Sequence, residues 1–217
     1  MKLVAVTMRQ DVVTARQETV DALDIRWMDF LLRCGLAALP LPNCETTASR
    51  LLEHTLPDAV LLTGGGEPTS ICGEMRPRDK VEALAIVWAQ RMGRPVVGVC
   101  RGMQTLLARD GVHWRAVDGH VAVKHAVMGT LAREVNSFHR YAATGEAGPW
   151  TVLARAPDGV IEAAEDPERR LAAVMWHPER ASPFDDRDID LFVRWLASAP
   201  QQPRTQSHAG ASSTSSP

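Results

Sequence analysis

Residues 96 to 102, Val-Val-Gly-Val-Cys-Arg-Gly, carry an apolar run into a cysteine set between two glycines, and a helix-like stretch, Met103 to Arg109, follows at once. That order leaves the backbone few choices. An extended segment must bend sharply into a helix, and only small flanking residues let the side chain at the bend stand free. The spacing Gly98-x-Cys100-x-Gly102 therefore predicts a nucleophile elbow with Cys100 at its apex.

The same rhythm of short apolar run and amphipathic segment fills the first half of the chain. It predicts strands at 3–7, 37–41, 58–63 and 95–99 and helices at 16–34, 47–54, 78–92 and 102–109. Such alternation implies an α/β fold, a doubly wound and mostly parallel sheet with flanking helices. Gly35, Gly93 and Gly111 each fall just past a predicted helix, where a left-handed cap is needed. From 112 to 176 the texture changes to shorter strand-like pieces, at 130–135, 151–155, 159–163 and 171–176, which predict added, partly antiparallel sheet. Asp185 to Ser198 reads as a last amphipathic helix. Residues 199–217, nearly all Pro, Gln, Ser, Thr, Gly and Ala, read as a disordered tail.

At 217 residues and 45% hydrophobic, the chain can bury one sizeable core, so a single domain over 1–198 is expected. With 24 basic and 26 acidic residues spread along it, the net charge of -2 offers no footprint for nucleic acid or an anionic membrane. Leu3 to Val6 is too short an apolar run for a signal peptide or a membrane span, and a cytoplasmic location is expected. In a reducing compartment Cys34, Cys44, Cys72 and Cys100 are expected to stay unpaired, with Cys34 a buried hydrophobe.

A thiol at a helix N-terminus is favoured as thiolate, the nucleophilic form. Arg101 adds positive charge or, as favoured here, anchors the elbow through hydrogen bonds to nearby carbonyls. Acyl chemistry also needs a proton shuttle. Met175-Trp-His-Pro-Glu179 supplies one, because His177 and Glu179 point the same way on an extended segment. The expected catalytic set is Cys100, His177 and Glu179. Thr63-Gly-Gly-Gly-Glu67, at the end of a predicted strand, is expected to bring the amide of Gly65, with that of Arg101, to a developing oxyanion. No phosphate-loop Lys-Ser/Thr follows those glycines.

With these three motifs in this order, the chain resembles class I glutamine amidotransferase domains over residues 1–197. The resemblance implies their flavodoxin-like sheet. Thr7-Met-Arg-Gln and Glu134-Val-Asn-Ser-Phe-His-Arg-Tyr141 narrow it to the free-standing gamma-glutamyl hydrolase group. Asp21 to Trp27, Val135 to Ala142, Asp158 to Glu162 and Met175 to Arg180 resemble the branch acting on gamma-glutamyl-CDP-amidate in capsular polysaccharide modification. What this implies is a glutamyl-thioester mechanism on a small-molecule, nucleotide-linked substrate, with no cofactor and no metal. A homodimer is compatible with it. Arg140 and Tyr141 depart from the commoner His or Gln followed by Gln, which argues against gamma-glutamyl-aminobutyrate, and Glu67 stands where Asp or Asn is common.

Asn136, Ser137 and His139 are expected to hold the substrate's amino and carboxylate ends, with a hydrogen-bonded turn as the alternative. Gln104 either reaches the same glutamyl group or packs as a helix amide. Arg9, at the carboxyl edge of the sheet, is a candidate phosphate contact. Glu162 is expected to be solvent-facing or paired, Arg26 could pair with a nucleotide, and Trp27 belongs in the core. His113, His120 and His125 are spaced irregularly and are expected to lack nearby acidic partners, so no metal site is expected. Two rivals remain: the glutaminase half of a two-component amidotransferase, and a silent binding protein on the same fold.

Overall fold

In a computed structural model that describes residues 1–197, the first half is wound around four parallel strands. Strand β1 (Lys2–Thr7) leads to a hairpin of β2 (Arg9–Val13) and β3 (Glu18–Ala22). Then come α1 (Arg26–Arg33), β4 (Leu36–Leu41), α2 (Glu45–Thr55), β5 (Ala59–Leu62), the one-turn α3 (Thr69–Cys72), α4 (Pro77–Arg91), β6 (Val96–Val99) and α5 (Arg101–Ala108). The second half adds β7 (Arg115–Ala116), β8 (Val121–Gly129), β9 (Arg133–Phe138), β10 (Tyr141–Ala142), β11 (Thr151–Arg155), β12 (Ile161–Asp166), β13 (Leu171–Val174) and α6 (Asp186–Leu196).

Nine strands form one sheet in the order β4-β1-β5-β6-β13-β12-β11-β8-β9. The first five run parallel, and β12, β11, β8 and β9 continue antiparallel. This is the predicted mostly parallel α/β sheet with its antiparallel addition. Because the central strands are covered on both faces, β5 and β6 are apolar and buried throughout. On one face Trp27, Phe30 and Phe192 stack edge to face, as expected of a core Trp27. On the other, Val81, Ala85 and Ile86 of α4 meet Leu52 and Met103. Among the described residues no helix is long and apolar enough to cross a membrane.

Two expectations fail. The helix predicted over 16–34 exists only from Arg26; residues 9–22 form the β2–β3 hairpin, turned through Gln17 in a left-handed conformation. Val12, Val13, Thr19 and Val20 explain this, since β-branched side chains lose rotamers in a helix and fit a pleated pair. Asp24 accepts a hydrogen bond from the Arg26 amide at 3.1 Å and begins the real helix. The second failure is β8, a nine-residue strand that the apolar pattern does not predict, because its outward residues Lys124, Met128 and Val121 hide the alternation. Its partner β9 begins at Arg133 rather than 130. Strand β12 runs to Asp166 rather than 163, and the other expected strand and helix ends agree within about two residues. The expected tail at 199–217, and Ser198, lie outside the described residues.

The elbow needs its glycines for space. A Cβ on Gly98 would lie 2.5 Å from the Gly102 carbonyl carbon, and one on Gly102 would lie 2.2 Å from the Leu62 oxygen. Both obstacles are backbone, so neither can yield cheaply. Gly102→Ala is expected to lower unfolding free energy by about 3 kcal/mol, the upper end of ordinary overpacking, in urea titration. A variant as stable as the wild type would show that α5 can move off β5.

Candidate active site

Strands β6 and β13 are parallel neighbours, in register from Leu171 beside Val96 to Val174 beside Val99. Their carboxyl ends therefore deliver Cys100 and His177 to the same edge of the sheet. Cys100 caps α5 with φ +51°, a left-handed value that a non-glycine residue adopts only under constraint. Its amide donates to the Val174 carbonyl at 2.8 Å. That bond and the Gly98–Gly102 contact hold the bend, and the thiol is buried.

His177 follows β13 and is fixed at three points. Its Nδ1 lies 2.7 Å from Glu179 Oε1, its backbone amide donates to Asn136 Oδ1 at 2.9 Å, and its carbonyl accepts from Asn136 Nδ2 at 2.7 Å. Burial opposes charge on the ring, but hydrogen bonding to Cys100 and to Glu179 outweighs it and raises the imidazole to about 9. Glu179 is itself buried in the short turn Pro178–Arg180. Cys100, His177 and Glu179 are thus brought together in one chain of contacts. Phe138 stands edge-on to the His177 ring at 5.7 Å, with the Arg180 guanidinium 4.6 Å from its own face.

The glycine loop is held by a residue that no sequence motif singled out. Arg78 donates to the carbonyls of Thr63 at 2.6 Å, Gly64 at 3.1 Å and Gly65 at 2.8 Å, and its Nε donates to Glu82 at 2.8 Å. A trans peptide points its N–H opposite its C=O, so the Gly65 amide faces away from Arg78. Gly64 passes directly under the His177 ring: a Cβ there would be 2.5 Å from His177 Cε1.

Arg101 does anchor the elbow, but not through carbonyls. It donates to Asp79 at 2.6 Å and, in a shorter contact, to Glu82 Oε2. A rigid fork finds a better match in carboxylates. Glu82, wholly buried, also accepts from Thr105 at 3.1 Å, and burial pulls Arg78 down to about 10. The i, i+4 spacing of Arg78 and Glu82, just inside a helix opened by Pro77, was the available signal.

The expected substrate contacts divide. Asn136 grips the backbone of His177 rather than standing free. Ser137 is buried and donates to the His120 carbonyl at 2.8 Å, and Gln104 is a packed helix amide donating to the Tyr141 carbonyl at 3.1 Å. His139 lies 3.2 Å from Glu162. For Ser137, Gln104 and His139 the structure shows internal bonds where substrate contacts were expected. Arg9 remains at the open edge, bonded to Asp11 at 2.8 Å and packed over Gly65. It lines a cavity of about 220 Å³ with Trp27, Gly64, Gly65, His177 and Glu179. A second cavity of about 850 Å³ shares Arg180 and adds Arg26, Lys124, Asn136 and Phe138. Arg26 is already paired with Asp24 at 2.6 Å.

The expectation that the histidines lack acidic partners is overturned. Folding brings Glu162 and Asp158 to His120, and Glu162 also to His125 and His139, contacts between residues far apart in sequence. Glu162 is paired, as expected, and has no exposure to solvent. Cys34 is buried, which pushes its thiol up to about 12, while Cys44 and Cys72 are exposed; all four cysteines are free.

The sequence pattern of the peptidase C26 family matches residues 2–128 and 120–179. The chain belongs to that family. Its relatives include a glutamine amidotransferase-like protein of Lactococcus lactis, 29% identical over 71% of this chain and 80% of the relative. The gamma-glutamyl-CDP-amidate hydrolase of Campylobacter jejuni is 27% identical over 73% of this chain and 78% of its own length. In structure, a GMP synthase component of Thermoplasma acidophilum superposes with a TM-score of 0.66 at 15% identity, over 91% of this chain and 94% of that one. It shares the class I glutamine amidotransferase fold. Family membership supports an amide-bond hydrolase.

Two measurements test the geometry. Glu82→Gln leaves Arg78 and Arg101 buried with one carboxylate fewer and is expected to cost about 3–5 kcal/mol in denaturant unfolding. A loss under about 1 kcal/mol would show that Asp79 alone suffices. His177, raised above its ordinary value near 6.5, stabilises the fold fully below that pH and ceases to as pH climbs through about 9. The stability gap between wild type and His177→Ala should therefore narrow from pH 6.5 to 9, and a constant gap would contradict the raised value.

Proposed function

We propose that the protein hydrolyses a gamma-glutamyl amide through a glutamyl thioester on Cys100. The observation that carries this reading is the unbroken set of contacts from Glu179 through His177 to a cysteine held at φ +51° on a helix N-terminus. Cys100 sulfur attacks the gamma-carbonyl carbon, and the C–N bond breaks as His177 gives its proton to the departing nitrogen. His177 then takes a proton from water, whose oxygen attacks the thioester and releases glutamate with the free thiol. The amides of Gly65 and Arg101 receive the oxyanion in both steps. For Arg101 the support is its place as the first residue of α5, where backbone N–H groups have no partner within the helix; for Gly65 it is the turn imposed by Arg78.

The leaving group we assign is nucleotide-linked, as in gamma-glutamyl-CDP-amidate. Support comes from the 850 Å³ cavity beside His177, where Lys124 and Arg180 stand with the Phe138 ring among the carboxylates of Glu134, Asp185 and Asp188. The two cations and the ring suit a diphosphate and a stacked base. Resemblance to the Campylobacter jejuni hydrolase at 27% identity points the same way.

Separate incubations with gamma-glutamyl-CDP-amidate, glutamine and gamma-glutamyl-aminobutyrate, reading glutamate release, test both levels. The expected result is a preference for the nucleotide-linked amide and a fall of about 10³-fold or more in Cys100→Ser. A preference for glutamine would favour the glutaminase half of an amidotransferase, and hydrolysis retained by Cys100→Ser would overturn the thioester.

A further inference from the structure

We propose that His120, His125, His139 and Glu162 form a binding site for a divalent transition metal ion of the zinc class, separate from the catalytic cysteine. Three imidazole nitrogens converge on one carboxylate oxygen. From Glu162 Oε1, His120 Nδ1 and His125 Nε2 each lie 3.4 Å away and His139 Nε2 lies 3.2 Å away. A tetrahedral ion with ligands at about 2.0–2.1 Å sets those ligands about 3.4 Å apart, which matches the three oxygen–nitrogen distances. The ligand atoms of His120, His125 and Glu162 all fall within 4.8 Å of one another, so small side-chain rotations close the set on an ion.

The hydrogen bonding is incomplete in the way such a site requires. His120 Nδ1, His125 Nε2 and Glu162 Oε2 are buried atoms with no hydrogen-bond partner among the described residues. Buried polar atoms are nearly always satisfied, and two imidazole nitrogens lying 3.4 Å from Glu162 Oε1, with the second oxygen of that carboxylate unpaired, call for a shared partner. His120 Nε2 lies 2.9 Å from Asp158 Oδ2. A carboxylate on the far nitrogen is the arrangement that orients a metal-bound imidazole and leaves its other nitrogen free to ligate. Nitrogen and carboxylate donors without thiolate or carbonyl select zinc, cobalt, nickel or iron over magnesium and calcium.

The donors come from three parts of the added sheet. His120 precedes β8, His125 lies in β8 opposite Val135, His139 follows β9, and Glu162 belongs to β12. An ion would tie these strands together within a few residues of Asn136, the clamp on His177. Its role is structural, and its closed set of four protein ligands fits that role.

The test is metal binding by the whole chain after chelator treatment, with zinc followed by calorimetry and cobalt by its visible spectrum. One ion per chain is expected, with a cobalt spectrum free of thiolate charge transfer, which separates this site from Cys44, Cys72 and Cys100. His125→Ala should weaken binding at least about 100-fold. Asp158→Asn changes only a half-exposed side chain and should weaken it about 10-fold, deciding the matter even if His125→Ala fails to fold. Absence of stoichiometric binding, a thiolate spectrum, or wild-type affinity in Asp158→Asn would overturn the site and leave a metal-free carboxylate–imidazole cluster.

Discussion

One buried carboxylate holds the working edge of this molecule together. Glu82 sits on α4 between two guanidiniums, Arg78 on its own helix and Arg101 on the first turn of α5. Arg78 then reaches the three carbonyls of the Thr63–Gly65 loop. A single charge thus fixes both the bend that presents Cys100 and the loop that crosses beneath His177. Charges this deep cost several kcal/mol each in desolvation, so the cluster persists only because its members satisfy one another. Its value lies in position more than in net stability: reactive groups displaced by about 1 Å can lose 10²-fold in rate.

The sheet supplies the remaining alignment. Parallel pairing of β6 with β13 ends both strands at one edge, and the elbow and the His-Pro-Glu turn emerge side by side. Antiparallel β9 then brings Asn136 over the top to grip the His177 backbone from both its amide and its carbonyl. Strain at Cys100 is tolerated because Gly98 and Gly102 give α5 room to lie against β5 and β6, and because the Val174 carbonyl holds the Cys100 amide.

What could be read in advance follows from how local the signal is. The elbow, the His177–Glu179 pair and the parallel half were legible because each rests on neighbouring residues: glycines two apart, an extended i, i+2 pair, apolar runs bounded by caps. The β2–β3 hairpin is hidden in the sequence because Thr19 and Val20 fit the helical period that predicts a helix from residue 16, while Val12 and Val13 carry no strand signal long enough to stand alone. Strand β8 escaped notice because it buries little. The histidine cluster was out of reach, since His120 and Glu162 meet only after β8 and β12 have taken their places in the sheet. Arg101 anchors the elbow through carboxylates on α4 that lie far from the elbow in sequence, which is why carbonyl partners are the local expectation.

The claim on which everything else rests is that Cys100 carries the glutamyl group during turnover. Acid quenching of the protein with a gamma-glutamyl substrate, followed by peptide mass spectrometry, observes that bond directly. The account predicts a hydroxylamine-labile glutamyl thioester on the peptide containing Cys100, abolished in Cys100→Ser and accumulating when His177 is replaced by Gln. Glutamate released without any acyl group on Cys100, or an acyl group found on Cys44 or Cys72 instead, would contradict it.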